Sequence, residues 1–387
     1  MQKLFEHPFL GRGFRPFFFL GALYSVISLA LWGGFYAGHV MPPDFMLDPV
    51  SWHAHEMLYG FTMAIVAGFL LTAVANWTGG APARQIHLAG LCLLWITGRI
   101  VLNFDVGLPT WGIIAVEVSF IPALAASLAI PLIRSWNKRN FIFLTLLSVL
   151  FACDLWFMLS ADKAPLYVAL MMILVMVSLI GGRIIPAFTV AALRRKNIQA
   201  FQTPQMKMDI AALVSLVAVT LCLVFAKETL LLTLCAGISA LIHVLRIRHY
   251  HSLKTLDDPM LWILHVGYLW LVVGLGLLAL TGLGILAIPM VVHALTAGCI
   301  GSMTLGMMCR VTLGHTGRNL TASKLTTIAF VLMQGAALIR VFGPMISSEF
   351  YTNWIVGSAT LWSICFLIYL GVYTPMLATP RPDGREA

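Results

Sequence analysis

The chain has 387 residues, 60% of them hydrophobic and 10% charged, a balance far from that of a soluble globular domain. Its formal net charge of +9 needs no nucleic acid to explain it, because loop cations facing anionic lipid headgroups account for it. No nucleotide-binding glycine motif occurs, and the scattered cysteines form no CxxC or CxxCH, so neither ATP-driven transport nor attached c-type haem is supported.

A spanning helix needs about 20 mostly apolar residues to cross about 30 Å of hydrocarbon. Twelve such stretches are predicted between Pro, Gly and charged residues: 14–38, 52–75, 85–103, 110–133, 139–160, 165–190, 207–225, 229–246, 260–281, 285–310, 322–343 and 351–374. They are continuously apolar rather than alternating, which argues against a β-barrel. The expected fold is an all-α polytopic membrane protein, one helical bundle over residues 1–387. The first run is too long, and lacks the small-residue cleavage site, to be a removable signal peptide. With both termini placed on the cytoplasmic side, most of the 24 Lys and Arg fall in inner segments. Arg99, Lys163, Lys227 and Arg340 fall at outer ends, and Arg183 lies inside a helix.

Charged side chains at a helix centre cost at least ~2.5–3.5 kcal/mol in a bilayer, so each is a functional candidate. The second span opens with SWHAHEMLYG. Asp48 is placed as its N-cap and Pro49 as its first residue, which suits the unpaired amides of a helix start. His55 then lies about 9 Å into the helix at about 1.5 Å per residue. His53 and His55 point ~200° apart, so they do not clamp one ion from one face. In a regular helix His53 shares its face with Glu56 and Met57, and His55 with Tyr59 and Thr62. One histidine is read as a metal ligand, with the other and Glu56 orienting it or relaying protons. Helix capping at an aqueous interface beside Trp52 is the alternative.

Further along, Arg183 in GGRIIPAFT needs an anionic partner, as does Arg310 in the tenth span. Haem propionates are one such partner, and Asp154 or Glu117 another. LHVGYLW on the ninth span carries His265 on the inner side, with Tyr268 on its face. On the tenth, HALTAGCIGSMTLGMMCRVTLGHTGR carries His293 at a depth comparable to His55, and His315 near the inner end. Gly298, Ser302 and Gly306 make a face open to close helix approach or to a large flat ligand. Met303, Met307 and Met308 offer thioethers suited to Cu(I). His87 and His243 sit near inner helix ends, where headgroup contact explains them. Haem b, held axially by histidines from different helices, is the cofactor this pattern serves, with copper on imidazoles second.

GFRPFFFLGAL, WHAHEMLYGFTMAIVAGFLLTAVANWTG, GGRIIPAFT and the tenth-span stretch together are similar to the NnrS family. The resemblance implies a twelve-span protein of the bacterial inner membrane, tied to nitric oxide metabolism and nitrosative stress, containing haem b and copper. By that resemblance His53, His55, His265, His293 and His315 are the candidate metal ligands. His55 and His293 are favoured for haem, with Arg183 and Arg310 at its propionates, Glu56 and Tyr59 in proton chemistry, and His265 with His315 as a second, inner site. A membrane oxidoreductase drawing on quinol is then one reading. A non-catalytic nitric oxide binding or sensing protein is another, and a transporter a third.

Overall fold

The computed structural model describes residues 7–384. Its twelve long helices are each long and apolar enough to cross a membrane: α1 (Phe14–Tyr36), α2 (Pro49–Thr78), α3 (Gln85–Asn103), α4 (Thr110–Arg134), α5 (Lys138–Ser160), α6 (Ala164–Arg195), α7 (Met206–Phe225), α8 (Leu230–Ile247), α9 (Pro259–Thr281), α10 (Ile288–His315), α11 (Lys324–Ile346) and α12 (Tyr351–Ala378). Each expected span is present. The largest extensions lie in α6 and α10, which run on to Arg195 and His315 past their expected ends.

Local chemistry explains the starts. Asp48 accepts from the amides of Val50 and Ser51, both at 3.1 Å, with Pro49 supplying the first helical position. Asp258 and Pro259 repeat this device at α9, where Met260 N–H donates to Asp258 at 3.0 Å. Gly79, at φ 64°, ends α2 in a left-handed conformation that a side chain disfavours.

The helices group into two compact units. One holds Met1–Ala169, Met308–Leu320 and Phe366–Ala387; the other holds Leu170–Met307 and Thr321–Cys365. In the first, α2 is the central helix, with 83% of its most apolar window buried. In the second, α8 is peripheral at 28%.

Each unit contains a helix with the same internal irregularity. α2 winds as a π-helix over Glu56–Thr62, directly after His55, and α10 does so over Ala294–Ile300, directly after His293. The packing against the preceding long helix also repeats. Gly60 lies against Tyr24 of α1, and Gly298 against Trp270 of α9; Gly68 lies against Phe17 and Phe18, and Gly306 against Ile263 and Leu264. Reciprocally, Gly21 faces Ala64 and Ile65, and Gly267 faces Ser302 and Met303. The pairs α1/α2 and α9/α10 therefore use one helix–helix register twice, with small residues permitting close approach. What the two copies place beside the π turn differs completely.

Candidate functional site

In the first copy, five helices bring ionisable groups together around His55. A π turn is strained, occurs as a local insertion and is frequent at functional sites. Here it starts at Glu56 and alters the angular spacing that a regular helix imposes. The expected pairing of Glu56 with His53 gives way to one with its neighbour: His55 Nδ1 lies 2.9 Å from Glu56 Oε1. Thr62 Oγ1 donates to Met57 O at 2.7 Å and Trp95 Nε1 donates to Gly60 O at 3.1 Å, occupying carbonyls in the irregular turn.

His55 Nε2 lies 3.0 Å from Asp154 Oδ1 on α5 and 3.4 Å from Glu117 Oε1 on α4. Arg99 on α3 bridges two of the acids, with Nη1 at 2.5 Å from Glu56 Oε1 and Nη2 at 2.5 Å from Glu117 Oε1. The second Glu56 oxygen accepts from Tyr24 of α1. Asn103 Nδ2 donates to Tyr24 Oη at 3.1 Å, and Trp52 Nε1 donates to Asn103 Oδ1 at 3.0 Å. Tyr59 anchors the wall, donating to Leu150 O at 3.1 Å while its ring lies 5.0 Å from that of His55. His55, Glu56, Arg99, Glu117 and Asp154 are all buried.

Electrostatics decides what such a cluster needs. Three carboxylates face one guanidinium, and an uncompensated charge in a low-dielectric interior is expensive. The balance is restored by protons or by a metal cation. Glu117 Oε2 is buried with no hydrogen-bond partner among the described residues, an oxygen left over for such a cation. His55, Glu117 and Asp154 each present a ligand atom within 4.8 Å of the others. One imidazole and two carboxylates form a donor set for a small divalent metal of intermediate hardness, such as iron, manganese or zinc. They do not suit a porphyrin at His55, because both ring nitrogens face carboxylates and the ring lies parallel to Tyr59 and Phe157, at 5.0 and 5.5 Å.

The other expected site residues lie elsewhere. His53, half-buried on the opposite side of α2, stacks on Trp32 of α1 at 4.2 Å. His293 belongs to the second unit, is half-buried, and places Nδ1 2.9 Å from Pro289 O. His265, also in the second unit, has both nitrogens 2.9 Å from hydroxyls, those of Thr189 and Ser252. His315 belongs to the first unit and lies 3.1 Å from Arg12. The two histidines expected to share an inner metal thus fall in separate units, each with its own partners. Arg183 is half-buried in the second unit and Arg310 buried in the first. Glu117 and Asp154, considered as their partners, are engaged by Arg99 and His55.

His243, expected at the headgroups, is fully buried in the second unit, with Nδ1 2.8 Å from Tyr268 Oη. Tyr268 in turn accepts from Arg246 at 2.7 Å, and Arg246 pairs with Asp209 at 2.7 Å. Arg99, Tyr24 and Asn103 escaped the sequence reading. Depth alone marks Arg99 as an outer-end charge, although the rarity of a cation within a span is a signal able to flag it.

The fold and site together define a multi-pass helical membrane protein built around a buried ionisable centre able to hold a cation. The chain belongs to the NnrS family, whose model, described as NnrS protein, matches residues 8–381. Comparison with curated proteins gives no match.

Proposed function

We propose that this chain is a metal-dependent protein of nitric oxide metabolism in the bacterial inner membrane, and that the cluster around His55 is its chemical centre. The observation that carries this reading is the buried excess of carboxylate over guanidinium, with His55, Glu117 and Asp154 converging within 4.8 Å. Family membership supports the link to nitric oxide and to metal chemistry.

In this reading His55, Glu117 and Asp154 hold a non-haem divalent metal, which supplies Lewis acidity or a redox couple when bound. Arg99 holds Glu56 and Glu117 apart and fixed. Glu56, joined to His55, Tyr24 and Asn103, holds and passes protons. Reduction of nitric oxide to nitrous oxide and water consumes protons and electrons in equal number. Oxidation of a bilayer quinol releases both in that same proportion.

Absorption spectra of the purified protein, oxidised and dithionite-reduced, with and without nitric oxide, combined with elemental analysis, test the proposal. A non-haem metal lost in His55→Ala, and nitric oxide turnover lost in Glu56→Gln with metal retained, are expected. Metal and haem retained with no turnover in the wild type would favour the binding or sensing role. Properly folded protein with neither metal nor haem would sink the reading and bring transport forward.

A further inference from the structure

A second concentration of charge lies in the first unit, where α1 begins and α10 and α12 end, buried at Arg15 and half-buried at Arg12, Arg318 and Arg381. It has the opposite sign. Arg15 is completely buried and donates through Nη1 to the carbonyls of Leu377 and Thr379, at 2.7 and 2.9 Å. Arg12 Nη1 lies 3.1 Å from His315 Nδ1, and Arg381 Nη1 donates to His315 O at 2.9 Å. Arg318 donates to Thr316 O at 3.2 Å and to Thr379 Oγ1 at 3.4 Å. Asp383 is already engaged by Arg381, through contacts of 2.9 and 2.6 Å.

These guanidinium groups act on one another. Arg15 feels Arg318, Arg12 and Arg381, while burial and the nearby Arg381 hold Arg12 below the usual arginine range. Carbonyls at the end of α12 meet part of the demand, since a helix C-terminus favours cations. They do not meet all of it. Arg12 Nε, Arg15 Nε and Arg15 Nη2 are buried without a hydrogen-bond partner among the described residues. Buried charged donors are expected to find acceptors, and among the described residues this net-positive cluster has more N–H groups than acceptors.

We propose that this pocket binds one phosphate-type oxyanion, presented either by an anionic lipid headgroup or by soluble phosphate. Arginine's planar fork matches phosphate oxygens. The pocket lies where spanning helices begin and end, the depth at which headgroup phosphates stand, and basic pockets between such helices take anionic headgroups. His315 lies between Arg12 and Arg381, its Nδ1 facing Arg12 and its carbonyl accepting from Arg381.

Native mass spectrometry of the full-length, detergent-purified protein, offered phosphatidylglycerol or phosphatidylcholine, tests the lipid source; thermal melting in inorganic phosphate against chloride at equal ionic strength tests the soluble one. A headgroup site predicts one tightly held phosphatidylglycerol per chain and no comparable phosphatidylcholine. Arg12→Gln should weaken retention about fivefold, the effect of one basic contact with anionic lipid. A soluble-phosphate site predicts no lipid selectivity, and a phosphate-dependent rise in melting temperature that Arg12→Gln abolishes. Equal retention of both lipids with no phosphate effect overturns the proposal, as does selectivity that survives Arg12→Gln. Where that variant does not fold, Arg318→Gln replaces it under the same criteria.

Discussion

Removing Arg99 tests the electrostatic argument most directly. Arg99 is 7% exposed, and its guanidinium lies 2.5 Å from an oxygen of each of two buried glutamates. Exposed ion pairs contribute about 0–1 kcal/mol, but deleting one partner of a buried pair costs about 3–5 kcal/mol, because a desolvated charge is left uncompensated. Arg99→Gln leaves Glu56, Glu117 and Asp154 facing one another around His55, so a loss of about 3–5 kcal/mol is expected in metal-free protein. Arg99→Lys should fall between this variant and the wild type, since a single ammonium cannot bridge both carboxylates as the planar fork does. Adding Glu117→Gln to Arg99→Gln should recover part of the loss, a coupling of about 0.5–3 kcal/mol. The assay is reversible unfolding in mixed detergent micelles, followed by circular dichroism, for the wild type, both single variants and the double variant. A change within about 1 kcal/mol for Arg99→Gln, the range of an exposed pair, together with additive singles, would refute the reasoning.

Other outcomes follow from the same geometry. Asp154→Asn should lower bound non-haem metal at least about tenfold, measured by elemental analysis, because even groups supporting a metal ligand alter affinity by that much; unchanged content would remove Asp154 from the site. At Gly60, a new methyl would meet Tyr24 at 2.6 Å, Arg99 Nη1 at 3.1 Å and Glu56 Oε2 at 3.2 Å. Gly60→Ala should therefore cost about 1–3 kcal/mol and reduce metal content, whereas Gly298→Ala, which strikes Trp270, should cost similar stability and leave the metal in place. Asp48 sits below its ordinary pKa of 3.8: partial burial opposes this, but hydrogen bonds from Ser51 and Val50 and the nearby Lys163 outweigh it. Its contribution is thus complete above that value and lost as pH falls through the lower folded value. Asp48→Ala should cost about 0.5–1 kcal/mol at neutral pH, the low end for a cap because this one is solvent-screened. The difference from wild type should close below pH 3.8 in melting curves.

Twelve spans, the absence of strand patterning and the Asp48–Pro49 helix start were all legible in the residues. Each depends on local chemistry: about 20 apolar residues satisfy a bilayer and their own backbone at once, and a capping carboxylate acts on amides two or three residues away. The WHAHEM segment was legible as a place of chemistry for the same reason, since imidazole and carboxylate within a span need a purpose. Which groups answer it was not. Pairing His55 with Asp154, Glu117 and Arg99 requires α2, α3, α4 and α5 to pack in one arrangement, and residues so far apart in the chain leave no periodic trace. The π turn at Glu56 added a second obstacle, because face assignments that assume a regular helix send Glu56 toward His53 when its carboxylate meets His55. Likewise Arg12, Arg15, Arg318 and Arg381 read singly as loop and helix-end cations, and only the meeting of the start of α1 with the ends of α10 and α12 makes them a cluster. Span length and helix capping are local properties of a sequence; the sign and balance of buried charge belong to the packed bundle, because they depend on which distant side chains lose their water together.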